Sequence, residues 1–545
     1  MKKNGGNFLA VAFLALGLFV CSHAQPRKLT ILHANDTHSA MVPIEAGFAP
    51  LAALEALQKN GDTAGISNPG NPASGQDHAG IARMAALIKK LKASNPNVLA
   101  LHAGDVFVGS FEFNKYLGYP ELKIMENLYD AMALGNHEFD LGIDTLAGIL
   151  SGQMAGGAPV YLPVLCANFD STGTALQGLV QPSIIKTTGG IKVGIFGLVT
   201  QEPQNYSDGV NSRFPYPYEA ASPEDTLWYY AGQVAGGLKA QDCDVVICLS
   251  HLGASLDMVL ADNVPFIDVI VGGHSHDVFE QPVIRSGKII VQAGEYGKYL
   301  GELNLKIDND GSIELDSYRL HKLDSRAKED PHVRAMVNQV RAGVVSDPRF
   351  GPVYSQKIAH ARRDIQKSWP AGSQNRDVAM GNLVTDAYKA ELNRAGFQVD
   401  CAITVLGYIG ADIKAGKVVG NDILRAVPYG YDPVSGLGFK VVVVSLPGSL
   451  LLGGLEYAAG MVEFTRDLAV QASGLTYAYD STKPTAGLGE TPTRVNVMSV
   501  MINGEHVALN LNKLYSVAMN EQVFNFFNAL VGGTLTPLVT PTGLF

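Results

Sequence analysis

One pattern recurs from residue 28 to about residue 325 and restricts the folds open to this chain. A short apolar run rich in Val, Ile and Leu is followed each time by a cluster of Asp, His, Asn and Gly. Such runs, bounded by glycine and polar residues, are typical of buried strands. Helical stretches such as GIARMAALIKKLKAS lie between them, and this alternation predicts an α/β domain. The repeated segments are KLTILHANDTH, NVLALHAGD, DAMALGNHEFD, DVVICLSHLG and FIDVIVGGHSHD.

The polar clusters at these strand ends carry side chains that bind metal ions. In open α/β sheets a ligand site lies beyond the carboxyl ends of the strands, so five such ends are expected to converge. One cluster alone is ordinary turn chemistry, but five together indicate a function. The pairs at 36/38 and 274/276 have the two-residue spacing that puts both side chains on one side of an extended segment. The seven candidate ligands are Asp36, His38, Asp105, Asn136, His251, His274 and His276.

This set of ligands indicates a particular chemistry. Nitrogen and oxygen ligands without thiolate favour Mn, Zn, Fe or Co. Two such ions about 3.5–4 Å apart clamp a phosphoryl group and generate hydroxide near neutral pH, which predicts in-line attack on phosphorus. Asp36 or Asp105, taken alone, could instead cap a helix. His33 and His102 lie within apolar runs and are expected to be structural.

Length and charge narrow the class of protein. A chain of 545 residues with 47% apolar content is expected to form two domains. The net charge of -10 and the pI near 5.7 argue against duplex nucleic acid or a phosphate-rich membrane as the main partner. An anionic substrate would therefore bind where metal ions or arginines oppose the overall field. The four cysteines beyond the leader are too few and too dispersed for a disulfide framework.

The first residues, MKKNGGNFLAVAFLALGLFVCSHAQ, have the layout of a secretory signal peptide. We expect cleavage after Ala24, which removes residues 1–24 and exports the protein to the periplasm or the extracellular space. A membrane anchor is the weaker alternative, because the apolar stretch is shorter than the roughly 20 residues of a spanning helix. Lipid modification of Cys21, which would attach the protein to a membrane surface, stays open although Val20 is larger than such a site prefers.

The motifs NDTH, GD, GNHEFD, SHLG and GGHSH, in this order, resemble those of the metallophosphoesterase superfamily. They are most similar to the secreted 5′-nucleotidase family, which includes UDP-sugar hydrolases and cyclic-nucleotide phosphodiesterases. The resemblance implies a four-layer α/β/β/α metallophosphoesterase domain over residues 25–325 and a C-terminal α/β substrate-recognition domain over residues 353–545. The charged, partly helical segment 326–352 is the expected interdomain linker.

The resemblance also implies a role for each site residue. His137 would be a catalytic imidazole that does not bind metal, and Asp140 would orient it and favour its cationic form. Glu138 is expected to contribute charge and local hydrogen bonds. The ligands would divide into Asp36, His38 and His276 for one ion, Asn136, His251 and His274 for the other, and Asp105 as the bridge.

The second domain matches the family only in part. Arg376 in RDVAMGNLVTDA stands at the expected arginine position, and Tyr429 in AVPYG at the expected aromatic platform. Phe527 is our candidate for a second ring. The family segment Asn-Gly-Gly-Gly-Ile-Arg is replaced at 405–410 by VLGYIG, and Gly-Gly-Asp-Gly-Phe at 532–536 by GGTLT. Loss of a guanidinium and a carboxylate removes specific contacts, so the substrate is not necessarily a standard 5′-mononucleotide.

The expected function is therefore an exported two-metal hydrolase of 5′-nucleotidase type. It would release phosphate from a nucleotide-like substrate and serve nucleotide catabolism. Hydrolysis of 2′,3′-cyclic nucleotides or UDP-sugars on the same scaffold is the alternative within the enzymes. A catalytically idle binding protein is the alternative outside them, since fold does not guarantee function. It would be marked by missing ligands, whereas all seven positions are filled.

Overall fold

The computed structural model describes residues 26–43, 80–205, 216–324, 326–369, 377–462, 466–487, 490–502 and 509–539. The predicted signal peptide at residues 1–24 lies outside these ranges. Within them, every helix is too short or too polar to cross a bilayer.

Strands make up the two sheets of the N-terminal domain and the smaller sheets that follow. In the described ranges they are β1 Arg27–Ala34, β2 Val98–His102, β3 Ala131–Ala133, β4 Val164–Leu165, β5 Val180–Gln181, β6 Ser183–Thr188, β7 Ile191–Val199, β8 Val245–His251, β9 Val269–Gly272, β10 Val283–Arg285, β11 Lys288–Val291, β12 Tyr299–Ile307, β13 Ile313–Lys322, β14 Lys357–Ala361, β15 Cys401–Val405, β16 Gly416–Val419, β17 Val441–Pro447, β18 Val470–Ser473, β19 Leu475–Thr476, β20 Met501–Ile502, β21 Leu514–Asn520 and β22 Pro537–Val539.

Helices connect many of these strands. Those described are α1 Ile81–Ser94, α2 Phe111–Tyr116, α3 Tyr119–Met125, α4 Ile143–Leu150, α5 Leu227–Lys239, α6 Ala254–Asn263, α7 Pro331–Ser346, α8 Ala379–Arg394, α9 Gly420–Ala426, α10 Gly448–Met461 and α11 Glu521–Leu530.

The N-terminal domain contains two mostly parallel sheets. The first has the order β13-β12-β1-β2-β3-β4-β5, and the second has the order β10-β11-β9-β8-β7-β6. Strands β1 to β5 run parallel, as do β7, β8, β9 and β11. The strands that precede the polar clusters therefore end on the same side of each sheet.

The alternation of side chains along the strands builds four layers. On β1, Leu29 and Ile31 pack against the second sheet, while Leu32 packs against the helices that include α1 and α4. On β8, Ile247 faces the first sheet and Cys248 faces α5 and α6. The central strands, such as β1, β2, β8 and β9, are thus buried on both faces, which explains the near-continuous apolar runs in the sequence. The four-layer α/β/β/α prediction is confirmed by this arrangement.

Helix α7 lies within the segment predicted as the linker. Its amino end is closed by Asp330, whose carboxylate accepts a hydrogen bond from the N–H of Val333 at 2.9 Å. One valine face is buried: Val333 joins the N-terminal core, and Val344 packs with Tyr354 and the helices α2 and α9. The helix therefore packs against both domains rather than standing free between them.

The C-terminal domain is built on a five-stranded sheet with the order β18-β15-β21-β17-β22. Helices α10 and α11 pack on one face of it through Leu451, Leu455 and Phe524. The other face is covered by α8, with Leu392 buried against Val443. This is the second α/β domain that the resemblance implied. Four cysteines of the described residues, one of them on β15, are buried and free.

Candidate metal centre

All seven predicted ligands lie at the carboxyl ends of strands, where the two sheets meet. Asp36 and His38 follow β1, Asp105 follows β2, and Asn136 follows β3. From the second sheet, His251 ends β8, and the pair at 274 and 276 follows β9. Because these strands are parallel within each sheet, their ends bring residues more than 200 positions apart in sequence into one site.

The backbone at the site is unusual. The five ligands with positive φ are Asp36 (49°), His38 (45°), Asp105 (55°), His274 (71°) and His276 (58°). Each such residue costs on the order of 1–3 kcal/mol, and such strain clusters at functional sites. Gly135 is required for a related reason, because a Cβ there would lie 2.1 Å from Asp105 Oδ1. The glycine of GNHEFD therefore allows the β3 loop to approach the β2 loop.

The first metal-binding cluster consists of Asp36, His38 and His276, with one ligand atom of each within 4.8 Å of the others. The Nε2 atoms of the two histidines are 3.1 Å apart, and His276 Nε2 is 3.4 Å from Asp36 Oδ1. Glu295 lies behind them, with its Oε2 2.8 Å from His276 Nδ1. The carboxylate fixes the ring so that Nε2 faces the cluster.

The second cluster consists of Asp105, His251 and His274, which also place ligand atoms within 4.8 Å of one another. His251 Nδ1 donates a hydrogen bond to the carbonyl of Ala103 at 2.7 Å, so its Nε2 faces Asp105 Oδ2 at 3.1 Å. Asn136 Oδ1 is 3.2 Å from the same Nε2 and 2.9 Å from His274 Nδ1. Asn136 Oδ1 therefore lies beside two members of this cluster, and its assignment as a ligand stays a prediction.

His274, the other histidine of this cluster, turns its Nδ1 and not its Nε2 towards the ligand atoms. His274 Nε2 faces Glu202 Oε1 at 3.4 Å, while Nδ1 faces Asn136. We therefore expect His274 to bind an ion through Nδ1 and the other three histidines to bind through Nε2. His38 is expected to bind through Nε2, because its Nδ1 lies 3.2 Å from the carbonyl oxygen of Phe107.

The donor set fits two divalent cations. Each ligand histidine has one ring nitrogen held by an acceptor and the other turned inward, which is the usual arrangement of metal-binding imidazoles. Burial lowers the pKa of His38 to about 4, so this ring is neutral and can coordinate. Burial would also lower the pKa of His276, but Asp36 and Glu295 raise it to about 10, which reports the negative potential that attracts a cation.

His137 lies beside both clusters without belonging to either. Its backbone N–H donates to Asp105 Oδ1 at 3.0 Å, and its Nδ1 is 2.8 Å from Asp140 Oδ2. Burial alone would lower the pKa of His137, but the carboxylates of Asp140 and Asp105 raise it to about 10. These carboxylates therefore favour the cationic form of the imidazole, and Asp140 occupies Nδ1 and not Nε2.

Glu138 holds the loops that carry the ligands. Its carboxylate accepts hydrogen bonds from the backbone N–H groups of Gly135 (2.6 Å), Asp105 (3.0 Å), Val106 (2.7 Å) and Phe107 (3.1 Å). The side chain is 1% exposed, so no solvent competes for these donors. The β2 and β3 loops are thus joined by one carboxylate, which agrees with the local hydrogen-bonding role expected from the sequence.

The predicted substrate residues have different surroundings. Tyr429 stacks on His137, with ring centroids 5.2 Å apart and planes at 18°, so it brings the C-terminal domain over the metal clusters. Phe527 packs on Gly454 of α10 and belongs partly to the C-terminal core. Phe526 is the more exposed ring, at 45%. Arg376 lies outside the described residues.

Glu295 and Glu202 were missed by sequence reasoning. Glu295 follows β11 by four residues, and Glu202 follows β7 by three. Both strands run parallel to strands that carry ligands. Both glutamates follow the rule that functional polar residues come after parallel strands. The segments after these two strands lack a cluster of histidine and asparagine residues, so the sequence did not single them out.

Comparison with known proteins shows what the chain resembles. Residues 29–278 match the family model described as calcineurin-like phosphoesterase, and residues 357–528 match that of the 5′-nucleotidase C-terminal domain. The 5′-nucleotidase of Bos taurus is 28% identical over 557 residues, which cover 95% of this chain and 87% of the bovine protein. The trifunctional nucleotide phosphoesterase protein YfkN of Bacillus subtilis is 27% identical over 81% of this chain, but only 30% of that longer protein is covered.

Among solved structures, the crystal structure of a 5′-nucleotidase precursor from Thermus thermophilus is similar over both domains. The TM-score is 0.74 with 28% sequence identity, and the match covers 94% of each chain.

Proposed function

Because the chain belongs to the 5′-nucleotidase family of metallophosphoesterases, we propose that it is an exported phosphohydrolase that releases inorganic phosphate from a nucleotide-like substrate. The observation that carries the proposal is the pair of clusters, in each of which the ligand atoms lie within 4.8 Å of one another. His137 contacts both clusters, through Asp105 Oδ1 and through the ring of His38. Mn, Zn, Fe and Co are the candidate ions.

The seven ligands would hold two ions at the end of the sheets. In our proposal Asp36, His38 and His276 bind the first, while His251, His274 and Asn136 bind the second. Asp105 is the proposed bridge, since its Oδ2 faces His251 while Oδ1 accepts the N–H of His137. When bound, the two cations would activate a water molecule for in-line attack and neutralise charge on the phosphoryl oxygens.

The protein's own groups do the rest of the chemistry. Asp140 holds His137 through Nδ1, so the proton on Nε2 is the one available to the substrate. We propose that Nε2–H donates to the leaving oxygen and stabilises the charge that develops there. The ring of Tyr429 packed on His137 limits the water around that proton and offers a flat surface to a nucleobase.

The C-terminal domain would select the substrate. Tyr429, Phe527 and Arg376 are the proposed contacts, with the first supported by its position over the metal centre. The domain limits that we propose are 25–325 for catalysis, 326–352 for the linker helix and 353–545 for recognition. The proposed export rests on the leader sequence, and sequencing the amino terminus of the secreted protein would test cleavage after Ala24.

A substrate panel tests the activity. We expect the manganese-loaded protein to release phosphate from AMP, and the panel should also contain 2′,3′-cyclic AMP, UDP-glucose and 4-nitrophenyl phosphate. The cyclic ester and UDP-glucose test the alternative activities on the same scaffold. Replacement of His137 with alanine is the matched control. If the wild-type protein hydrolyses no member of the panel, the proposed function is wrong.

A further inference from the structure

A cleft runs between the two domains beside the first metal-binding cluster. The N-terminal wall includes His38, Ser39 and Tyr296, and the C-terminal wall includes Asn421, Arg425 and Pro428. Since His38 belongs to the first cluster, a molecule in this cleft would be next to the metal centre.

Arg425 is the one arginine or lysine among the described residues that line this cleft. It lies on α9 and is partly buried, yet it makes no hydrogen bond or ion pair with any described residue. Burial lowers the pKa of Arg425, although the carboxylates in its surroundings oppose this effect. A guanidinium withdrawn from water without a partner is unfavourable, and protein structures rarely keep one.

The carboxylates near Arg425 are engaged elsewhere. Asp422 accepts the backbone N–H of Val419 at 2.9 Å. Glu295 is paired with His276 and with Lys298. Glu112, which also lines the cleft, accepts a hydrogen bond from Tyr354 at 2.6 Å, and burial raises its pKa, which favours its neutral form. Asp412 accepts the backbone N–H of Lys367 at 2.9 Å and lies 3.5 Å from Lys414. Among the described residues, each carboxylate near Arg425 therefore has another partner, and the five N–H donors of Arg425 can bind a further group.

The neighbouring segment 405–410 offers no cation of its own. It reads VLGYIG, and a Cβ on Gly410 would lie 2.6 Å from the carbonyl of Arg425 and 2.6 Å from Pro428 Cγ. A long side chain at position 410 would displace this wall. Arg425 supplies from α9 the positive charge that the segment lacks.

We propose that Arg425 binds a phosphoryl oxygen of the substrate in the interdomain cleft. The proposal rests on the proposed function, because it assumes a phosphate ester as the substrate. The chain has a net charge of -10, which repels an anionic substrate. A guanidinium in the cleft offsets this repulsion at a point that the metal ions do not contact. The planar fork of arginine suits phosphate oxygens, so Arg425 would fix both the position and the orientation of the substrate.

Steady-state kinetics and phosphate binding test this assignment. For Arg425→Ala, we expect KM for AMP to rise about ten- to hundredfold with a smaller change in kcat, as for a lost hydrogen bond to a charged group. Arg425→Lys keeps the positive charge but lacks the planar guanidinium, so it should recover part of the affinity for AMP that Arg425→Ala loses. Methylguanidine added to Arg425→Ala should lower KM again. The matched control is Arg394→Ala, since Arg394 is exposed on α8 and should leave all values unchanged.

A binding measurement separates this inference from the proposed function. Inorganic phosphate is titrated calorimetrically into the manganese-loaded wild-type and Arg425→Ala proteins, with metal content and Tm measured beside it. Weaker phosphate binding by the variant, at equal metal content and Tm, supports the assignment even if no ester is hydrolysed. Equal phosphate affinity in the two proteins overturns it, as does an unchanged KM for AMP in an active enzyme.

Discussion

Replacing Glu295 should weaken one metal site and leave the other nearly unchanged. The carboxylate holds His276 Nδ1 at 2.8 Å and is itself paired with Lys298 at 2.7 Å. Loss of such a partner behind a ligand histidine lowers metal affinity by about 10- to 100-fold, which is roughly 1.4–2.7 kcal/mol. Glu295→Ala should therefore weaken the cluster that contains His276 by this amount. Glu295→Gln keeps an acceptor oxygen and should give a smaller loss.

The second cluster supplies a matched control. Glu202 faces His274 Nε2 at 3.4 Å and its side chain is 52% exposed, so solvent can replace it. Glu202→Gln should change metal affinity by less than about threefold, as for a weak exposed ion pair. Titration of manganese into chelator-treated protein, followed by calorimetry, should resolve a tight and a weakened site in Glu295→Ala. Wild type and Glu202→Gln should give matching curves.

Two results would refute this reasoning. Equal weakening of both sites in Glu295→Ala would mean that the residue acts through general folding rather than through His276. Unchanged affinity at both sites would mean that the 2.8 Å contact does not orient the ligand. Measurement of Tm for the chelator-treated proteins distinguishes loss of fold from loss of affinity.

Four further predictions follow from the site. His137→Ala should keep its metal content, by elemental analysis, and lose about 10²–10⁴-fold in kcat; metal loss would contradict the assigned role. Glu138→Ala leaves four buried N–H groups without an acceptor, at about 1–3 kcal/mol each, so Tm should fall sharply, while an unchanged Tm would refute the bracing role. Burial raises the pKa of Glu121 from 4.5 to about 8, so the folded protein disfavours the ionised carboxylate and its stability falls as pH rises between these values. Glu121→Gln removes this effect, so the Tm of the metal-free variant should exceed that of metal-free wild type by an amount that grows from pH 5 to pH 8. A difference that stays constant with pH would contradict this. Chelation should abolish phosphate release, and manganese or cobalt should restore it, whereas full activity after chelation would rule out the metal mechanism.

Much of the fold could be predicted from the apolar runs because the central strands of both sheets are buried on both faces. A strand such as β8, with Ile247 facing one layer and Cys248 facing another, has no polar face. Such strands are recognised in the sequence as uninterrupted apolar runs, and the polar residues that follow each run are recognised by the abrupt change in composition. The C-terminal domain was harder to predict, since its strands are shorter and its site residues are spread over loops and helices.

The candidate ligands could be named from the sequence, but the pairing of each ligand with a particular carboxylate could not. Glu295 and Glu202 are single carboxylates without a motif, and their contacts with His276 and His274 depend on how β11 and β7 align with their neighbours. Arg425 is likewise an ordinary arginine of a short helix in the sequence. Its place in the cleft becomes evident only when the two domains are packed together.

The sequence by itself determined the α/β class and the strand-end positions of the ligands, while the separate role of His137 came from the resemblance to a family. The first two follow from local pattern, because a buried apolar run and the polar residues after it are encoded within a few residues. The tertiary structure decided which imidazole nitrogen faces an ion, which carboxylate stands behind it and which cation lines the cleft. Those properties depend on contacts between residues far apart in the chain, such as His38 and His276 at 3.1 Å, which no local pattern encodes.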